Sequence, residues 1–246
     1  MATVARWAIR TGTATTTATT TDIIPVMPIT TMSTDGGEAG LLALAQWLSP
    51  AFPLGSFAYS HGLETAIAEG RVTSAAALES WLRHLLRFGS GRADAVLLHA
   101  ARRGDDADTL ADLARALAAS AERLRETEEQ GAALARTVNA LTGQSEPARP
   151  LPVALGVAAR RLDVPPVRVV ALYLHAFASN LVSCATRFVP LGQTEAQGAL
   201  ARLAPDIAAT AAETEADDPV RIASSAFGAD LAAMAHETLP VRIFKT

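Results

Sequence analysis

The chain has 246 residues, 50% of them hydrophobic and 5% aromatic, with a formal charge of −4; such a length supports one substantial core, and the few aromatics favour helices over an all-β domain. The acidic balance excludes the basic footprint of a nucleic-acid binder. Cys184 is the single cysteine, which excludes an intrachain disulfide framework or a multi-cysteine zinc site and fits a reducing cytoplasm.

In chain order, residues 1–38 read as a flexible leader. The Thr- and Ala-rich run that follows Arg6 and Arg10 has neither the apolar stretch of a secretory signal nor the large side chains that offset ordering entropy. Residues 39–246 read as one all-α domain, a multi-helix bundle of about ten helices around a buried central helix. Leu41, Leu44, Ala45 and Leu48 share a face that Ser49-Pro50 ends. The next helix is expected from near Ser56 to Gly70, with Gly62 inside it; a helical glycine costs about 1 kcal/mol relative to Ala, so another backbone should approach there. Leu78, Leu82, Leu85 and Leu86 form a stripe up to Phe88-Gly89, and Val96, Leu97 and Ala100 form another. A helix with aspartates at its front runs from Asp106, where the dipole favours negative charge. The longer helix after it puts Leu124, Gly131, Leu134, Val138 and Leu141 on one side and Arg125, Glu128 and Glu129 away from it, and Gly143 closes it.

A further helix is expected over Val153 to Leu162, and Pro165-Pro166 opens another running to about Val189. No formally charged residue stands between Arg168 and Arg187. That stretch is long enough to cross a membrane, but His175, Ser179, Asn180, Ser183 and Thr186 within it favour a helix buried by its neighbours. His175, Asn180 and Cys184 are then expected to be buried.

Four segments stand out: "SPAFPLGSFAYSHGLE" (49–64), "RETEEQG" (125–131), "RFVPLGQTEAQ" (187–197) and "MAHETLPVRIFKT" (234–246). None makes an active site or metal site by its own chemistry. His61 and Glu64 are two ligands, too few for a metal, and no second histidine stands near His236-Glu237 at zinc-helix spacing. Ser60 and His61 are sequence neighbours, which do not by themselves make a nucleophile and base. A phosphate-binding loop with its Lys and Ser/Thr is missing, so nucleotide hydrolysis by this chain is not expected. Arg125, Glu128 and Glu129 suit a solvated helix face.

Taken together and in order, these segments and "LPVALGVAARRL" resemble the urease accessory proteins of the UreF family, over essentially all of residues 41–246. The resemblance implies a non-enzymatic, all-α cytoplasmic protein with no cofactor. It implies a homodimer that binds the accessory protein UreD (UreH) and the GTPase UreG and, through their complex, acts on apo-urease as a chaperone of nickel insertion. In this light the segment 49–64 becomes a shaped recognition element, with Pro53 and Gly55 setting a bend before Phe57, Tyr59, Ser60, His61 and Glu64. The partner-binding set further includes Arg125, Glu128, Glu129, Arg187, Gln193, His236, Glu237, Arg242 and Phe244. The final segment, ended from its helix by Pro240, is expected to order only on UreD, with Phe244 as anchor and Arg242 as orienting charge. An alternative role has Arg125 or Arg187 acting on the nucleotide site of UreG, as an arginine finger does.

Overall fold

The computed structural model describes residues 36–246. The leader expected over 1–38 lies outside them except for Gly36–Glu38, which already belong to the first helix. The described chain is all-α: α1 (Gly36–Trp47), α2 (Leu63–Ala68), α3 (Ala75–Phe88), α4 (Ser90–Arg103), α5 (Ala107–Ala116), α6 (Ala121–Thr142), α7 (Leu151–Ala159), α8 (Pro166–Ala185), α9 (Gln193–Arg202), α10 (Ala204–Glu213) and α11 (Phe227–His236). Boundaries follow local chemistry. The side chains of Ser74, Asp106 and Ser120 accept from Ala77, Thr109 and Arg123 N–H and so cap α3, α5 and α6. Gly104 and Gly143 take the left-handed conformation that ends α4 and α6.

The most enclosed element is α7, in which all nine residues are buried. It lies between α4 and α6, and glycines permit the approach. A Cβ on Gly131 of α6 would fall on the backbone of Arg149 to Leu151, and one on Gly156 of α7 would meet Ala101 and the Leu98 carbonyl. Arg102 donates to the carbonyls of Ala159, Leu162 and Val164, so the buried end of α7 keeps its hydrogen bonds.

As expected, α8 is central, packed against α2, α3, α4, α9 and α10. It is not closed all round. His175 and Ser183 are exposed, and Ala176, Ser179 and Asn180 are half-buried, so the expectation of a buried His175 is corrected and that for Asn180 holds only in part. The cause is composition: small and polar residues at spacings of three and four make a continuous open stripe. Cys184, one turn beyond Asn180, is buried.

The helix expected from near Ser56 to Gly70 is also corrected. The chain there is not one helix but a 3-10 turn at Ser56–Ala58, an extended Tyr59, two left-handed residues and the short α2.

Candidate functional site

The left-handed residues are His61 (φ 54°) and Gly62 (φ 72°). They turn the chain so that the segment 56–64 lies across α6 and α8, and Gly62 allows α11 to come close: a Cβ there would sit 2.5 Å from the Ala233 nitrogen. The expected close approach at Gly62 is therefore present, although the glycine precedes the helix rather than lying within it. A histidine with positive φ is strained, and its surroundings hold it. Its Nε2 lies 2.8 Å from Glu126 Oε1, and its ring meets Phe177 edge-on at 4.7 Å. Asn180 donates to the carbonyls of Ser56 (2.9 Å) and Tyr59 (3.1 Å), and the Cys184 thiol to that of Tyr59. The polar residues of α8 thus anchor this loop.

Behind it runs a buried polar chain. Tyr173 donates to Asp94 Oδ2 (2.6 Å), which also pairs with Arg123 (2.7 Å); Arg123 lies 3.4 Å from Glu126, and Glu126 faces His61. Burial alone would raise the Glu126 carboxyl, but His61 and Arg123 outweigh it and hold the group below the usual carboxylate range. Burial, joined by Asp94, raises the Tyr173 phenol well above its ordinary value.

The C-terminal segment closes the site. His236, fully buried, stands between Glu122 (Nδ1–Oε2 2.7 Å) and Glu64 (Nε2–Oε2 3.0 Å). Arg242 pairs with Glu122, while Ile243 and Phe244 N–H donate to the two oxygens of Glu64 at 2.8 and 3.0 Å. Lys245 N–H donates to the Ala58 carbonyl (2.7 Å), and the Ser60 N–H and hydroxyl both donate to the Thr246 main-chain oxygen. Phe244 is 4% exposed, packed on Phe188 with the Arg187 guanidinium 5.3 Å above its ring. Tyr59 donates to Glu129 (2.5 Å), which Lys245 also reaches (3.2 Å). These contacts hold the Glu129 carboxyl low, and burial together with Glu129 raises the Tyr59 phenol. Glu237 accepts from Ala121 N–H at the start of α6.

The structure therefore joins Tyr59, Ser60, His61, Glu64, Glu129, Arg187, His236, Glu237, Arg242 and Phe244 in one contact region, with Phe57 exposed at its edge. It does not join the others. Glu128 pairs with Arg115 (2.9 Å), Arg125 is exposed without an ion pair among the described residues, and Gln193 is exposed at the start of α9. Two expectations for the tail are corrected. It is ordered on its own chain, and Phe244 is a core side chain rather than a surface anchor, because its ring finds an apolar seat between Phe188 and Arg187. Asp94, Glu122, Arg123, Glu126 and Tyr173 were missed. Glu122 and Glu126 precede Gln130, Leu134 and Val138 at intervals of four, so the sequence carried the signal of carboxylates on the inner face of α6.

Beside the site, a cleft of about 510 Å³ opens between the end of α1, the loop, α6 and α8, with Trp47, Phe52, Phe57, His61, Glu126 and Asn180 in its lining. Among the described residues, no group of three or more His, Cys, Asp or Glu side chains is placed to hold a metal ion. Most of the polar groups are committed to holding the loop and the tail against each other. Fold and site together define an all-helical protein in which the loop and the tail form a composite surface.

The UreF family profile matches residues 72–204. Over 209 residues, 85% of this chain and 100% of the relative, the sequence is 64% identical to the urease accessory protein UreF of Cereibacter sphaeroides strain KD131. Identity to the protein of the same name is 54% in a Jannaschia species, over 86% of this chain and 96% of the relative. For Paracoccus denitrificans it is 51%, over 87% and 100%. The chain belongs to the UreF family of urease accessory proteins.

Proposed function

We propose that the chain is the adaptor of a nickel-delivery complex, a non-enzymatic cytoplasmic protein that binds UreD (UreH) and the GTPase UreG so that apo-urease receives its metal cargo. The observation that carries this is the exposed apolar surface on the docked tail and on the helix before it. Val241 and Ile243 are 80% and 67% exposed, and Phe227, Leu231 and Met234 form an exposed stripe on α11. Apolar side chains grouped in this way mark protein interfaces. UreD is assigned to this face, and a second copy of the chain to the open side of α8. The test is co-purification with UreD and UreG, followed by sizing and nickel analysis. A complex is expected, with UreD capture lost in Leu231→Arg while the helical signal stays unchanged; a protein that binds neither partner at micromolar concentration overturns the proposal.

A second role is favoured by one observation, the exposed Arg125 without an ion pair among the described residues: direct action on the nucleotide site of UreG. Single-turnover GTP hydrolysis separates the two, since an adaptor leaves the rate unchanged and Arg125→Ala abolishes any acceleration that an arginine finger supplies.

A further inference from the structure

The cleft between the end of α1, the loop, α6 and α8 is lined by two unlike sets of side chains. Trp47, Phe52, Leu134, Leu151 and Leu155 belong to the main hydrophobic core and give the cleft an apolar wall. On α8 and the turn after it, His175, Ser179, Ser183 and Arg187 also line it, following one another at intervals of four. That spacing sets them in one row along a helix face, the open stripe of α8, which Arg187 continues one residue past the C-cap Thr186. At about 1.5 Å of rise per residue the row runs for about 18 Å. A volume of about 510 Å³ spread over that length leaves a mean section of about 28 Å². The space is too narrow for a second helix, which is about 10–12 Å across with its side chains, and suits a single extended chain. Its volume also lies within the range of sites that take small organic molecules.

Charge decides which chemistry fits. Among Asp, Glu, Lys and Arg, the cleft is lined by Arg123, Glu126 and Arg187, two guanidiniums against one carboxylate. Arg123 and Glu126 are committed to each other, to Asp94 and to His61. Arg187 is not. It is exposed, lies over the Phe244 ring and has no ion pair among the described residues. The uncompensated charge of the cleft is therefore positive and stands at one end of the polar row, where a carboxylate reaches it without leaving water altogether.

We propose that the cleft binds a long-chain alkyl carboxylate, with its chain along the wall of Trp47, Phe52 and Leu155 and its head on Arg187. Burial of the chain supplies the affinity, and the guanidinium selects a negative head over a positive one. This site stands apart from the adaptor role, and its test needs neither UreD nor UreG. The second copy assigned to the open side of α8 meets the same row of side chains, so the acid and the copy compete for it.

The test is calorimetric titration of the full chain with laurate and with dodecyltrimethylammonium, which has the same chain length and the opposite charge. Laurate is expected to bind one per chain at micromolar concentration, about tenfold more tightly than the cation. Arg187→Gln is expected to weaken laurate by about threefold to fivefold, the worth of an exposed ion pair, and to leave the cation no weaker. Ala176→Trp, which places a large ring in the lining at a half-buried position, is expected to abolish binding of both while the helical signal stays unchanged. Equal affinity for the two heads, undiminished laurate binding in Arg187→Gln, or no uptake at micromolar concentration overturns the proposal. So does a stable dimer, found by sizing, that takes up no laurate, since the second copy then holds the row. The comparison of heads and the exposed Arg187→Gln decide the matter even if Ala176→Trp fails to fold.

Discussion

Gly131→Ala tests the closest approach made at any glycine among the described residues. The added Cβ would lie 1.8 Å from the Arg149 carbonyl oxygen, 2.8 Å from Leu151 N and 2.9 Å from the Pro150 carbonyl carbon. Ordinary contact is about 3.5 Å, so the loop entering α7 must retreat by about 1.7 Å. All three atoms are backbone, so no rotamer change relieves the overlap. The shift also pulls Leu151 N–H away from Thr127 Oγ1 (3.2 Å) and moves a helix with no exposed residue. Overpacking costs about 1–3 kcal/mol, here at the upper end, against a gain of about 1 kcal/mol for alanine over glycine in a helix. The net loss is about 2 kcal/mol, or a Tm lower by about 4–8 °C for a domain of this size. Thermal unfolding followed by circular dichroism measures it. A Tm equal to or above that of the wild type would refute the crossing of α6 by the α7 loop.

Phe244→Ala should cost about 3–5 kcal/mol as a core truncation, read as a lower urea midpoint; a frayed tail would leave the midpoint unchanged. Cys184 is buried, and burial pushes its thiol up to about 12, so thiol reagents should react with it slowly until denaturant is added; rapid native labelling would contradict this. The depressed Glu126 carboxyl contributes stability that is present above the ordinary carboxylate range near pH 4 and is lost as pH falls through its lower folded value. Urea midpoints should accordingly fall less steeply below about pH 4 in Glu126→Gln than in the wild type, and equal slopes would deny the contribution. Arg123→Met strips Asp94 and Glu126 of their shared cation and should cost about 3–5 kcal/mol, checked by the same titration at neutral pH.

Much of the fold was legible because large aliphatic residues fall at helical spacing. Leu78, Leu82, Leu85 and Leu86 are all buried in α3, and Asp106, Gly143 and Pro166 mark helix ends where their chemistry requires them. Legibility failed where side chains are small. Periodicity left residues 193–226 unassigned, because alanine is the commonest residue of α9 and α10 and large aliphatic anchors such as Leu200, Leu203 and Ile207 are few. Small residues also disguised the open stripe of α8. In the site, the distinctive segments were readable one by one, but their meeting was not. The left-handed His61 has no local sequence signature, and the pairing of Glu64 with His236 depends on two helices placed by the whole bundle.

The hydrogen bonds that tie Ala58, Ser60 and Glu64 to His236 and the tail join residues 172 to 187 positions apart in the chain. During synthesis, Ala58 to Glu64 leave the ribosome long before His236 and the residues after it exist. A nascent or prematurely ended chain can fold many of its helices and still lack the composite surface, because Glu64, Ser60 and Ala58 have nothing to hold. A partner that recognises the docked tail would therefore select chains that carry both segments over fragments that lack the later one.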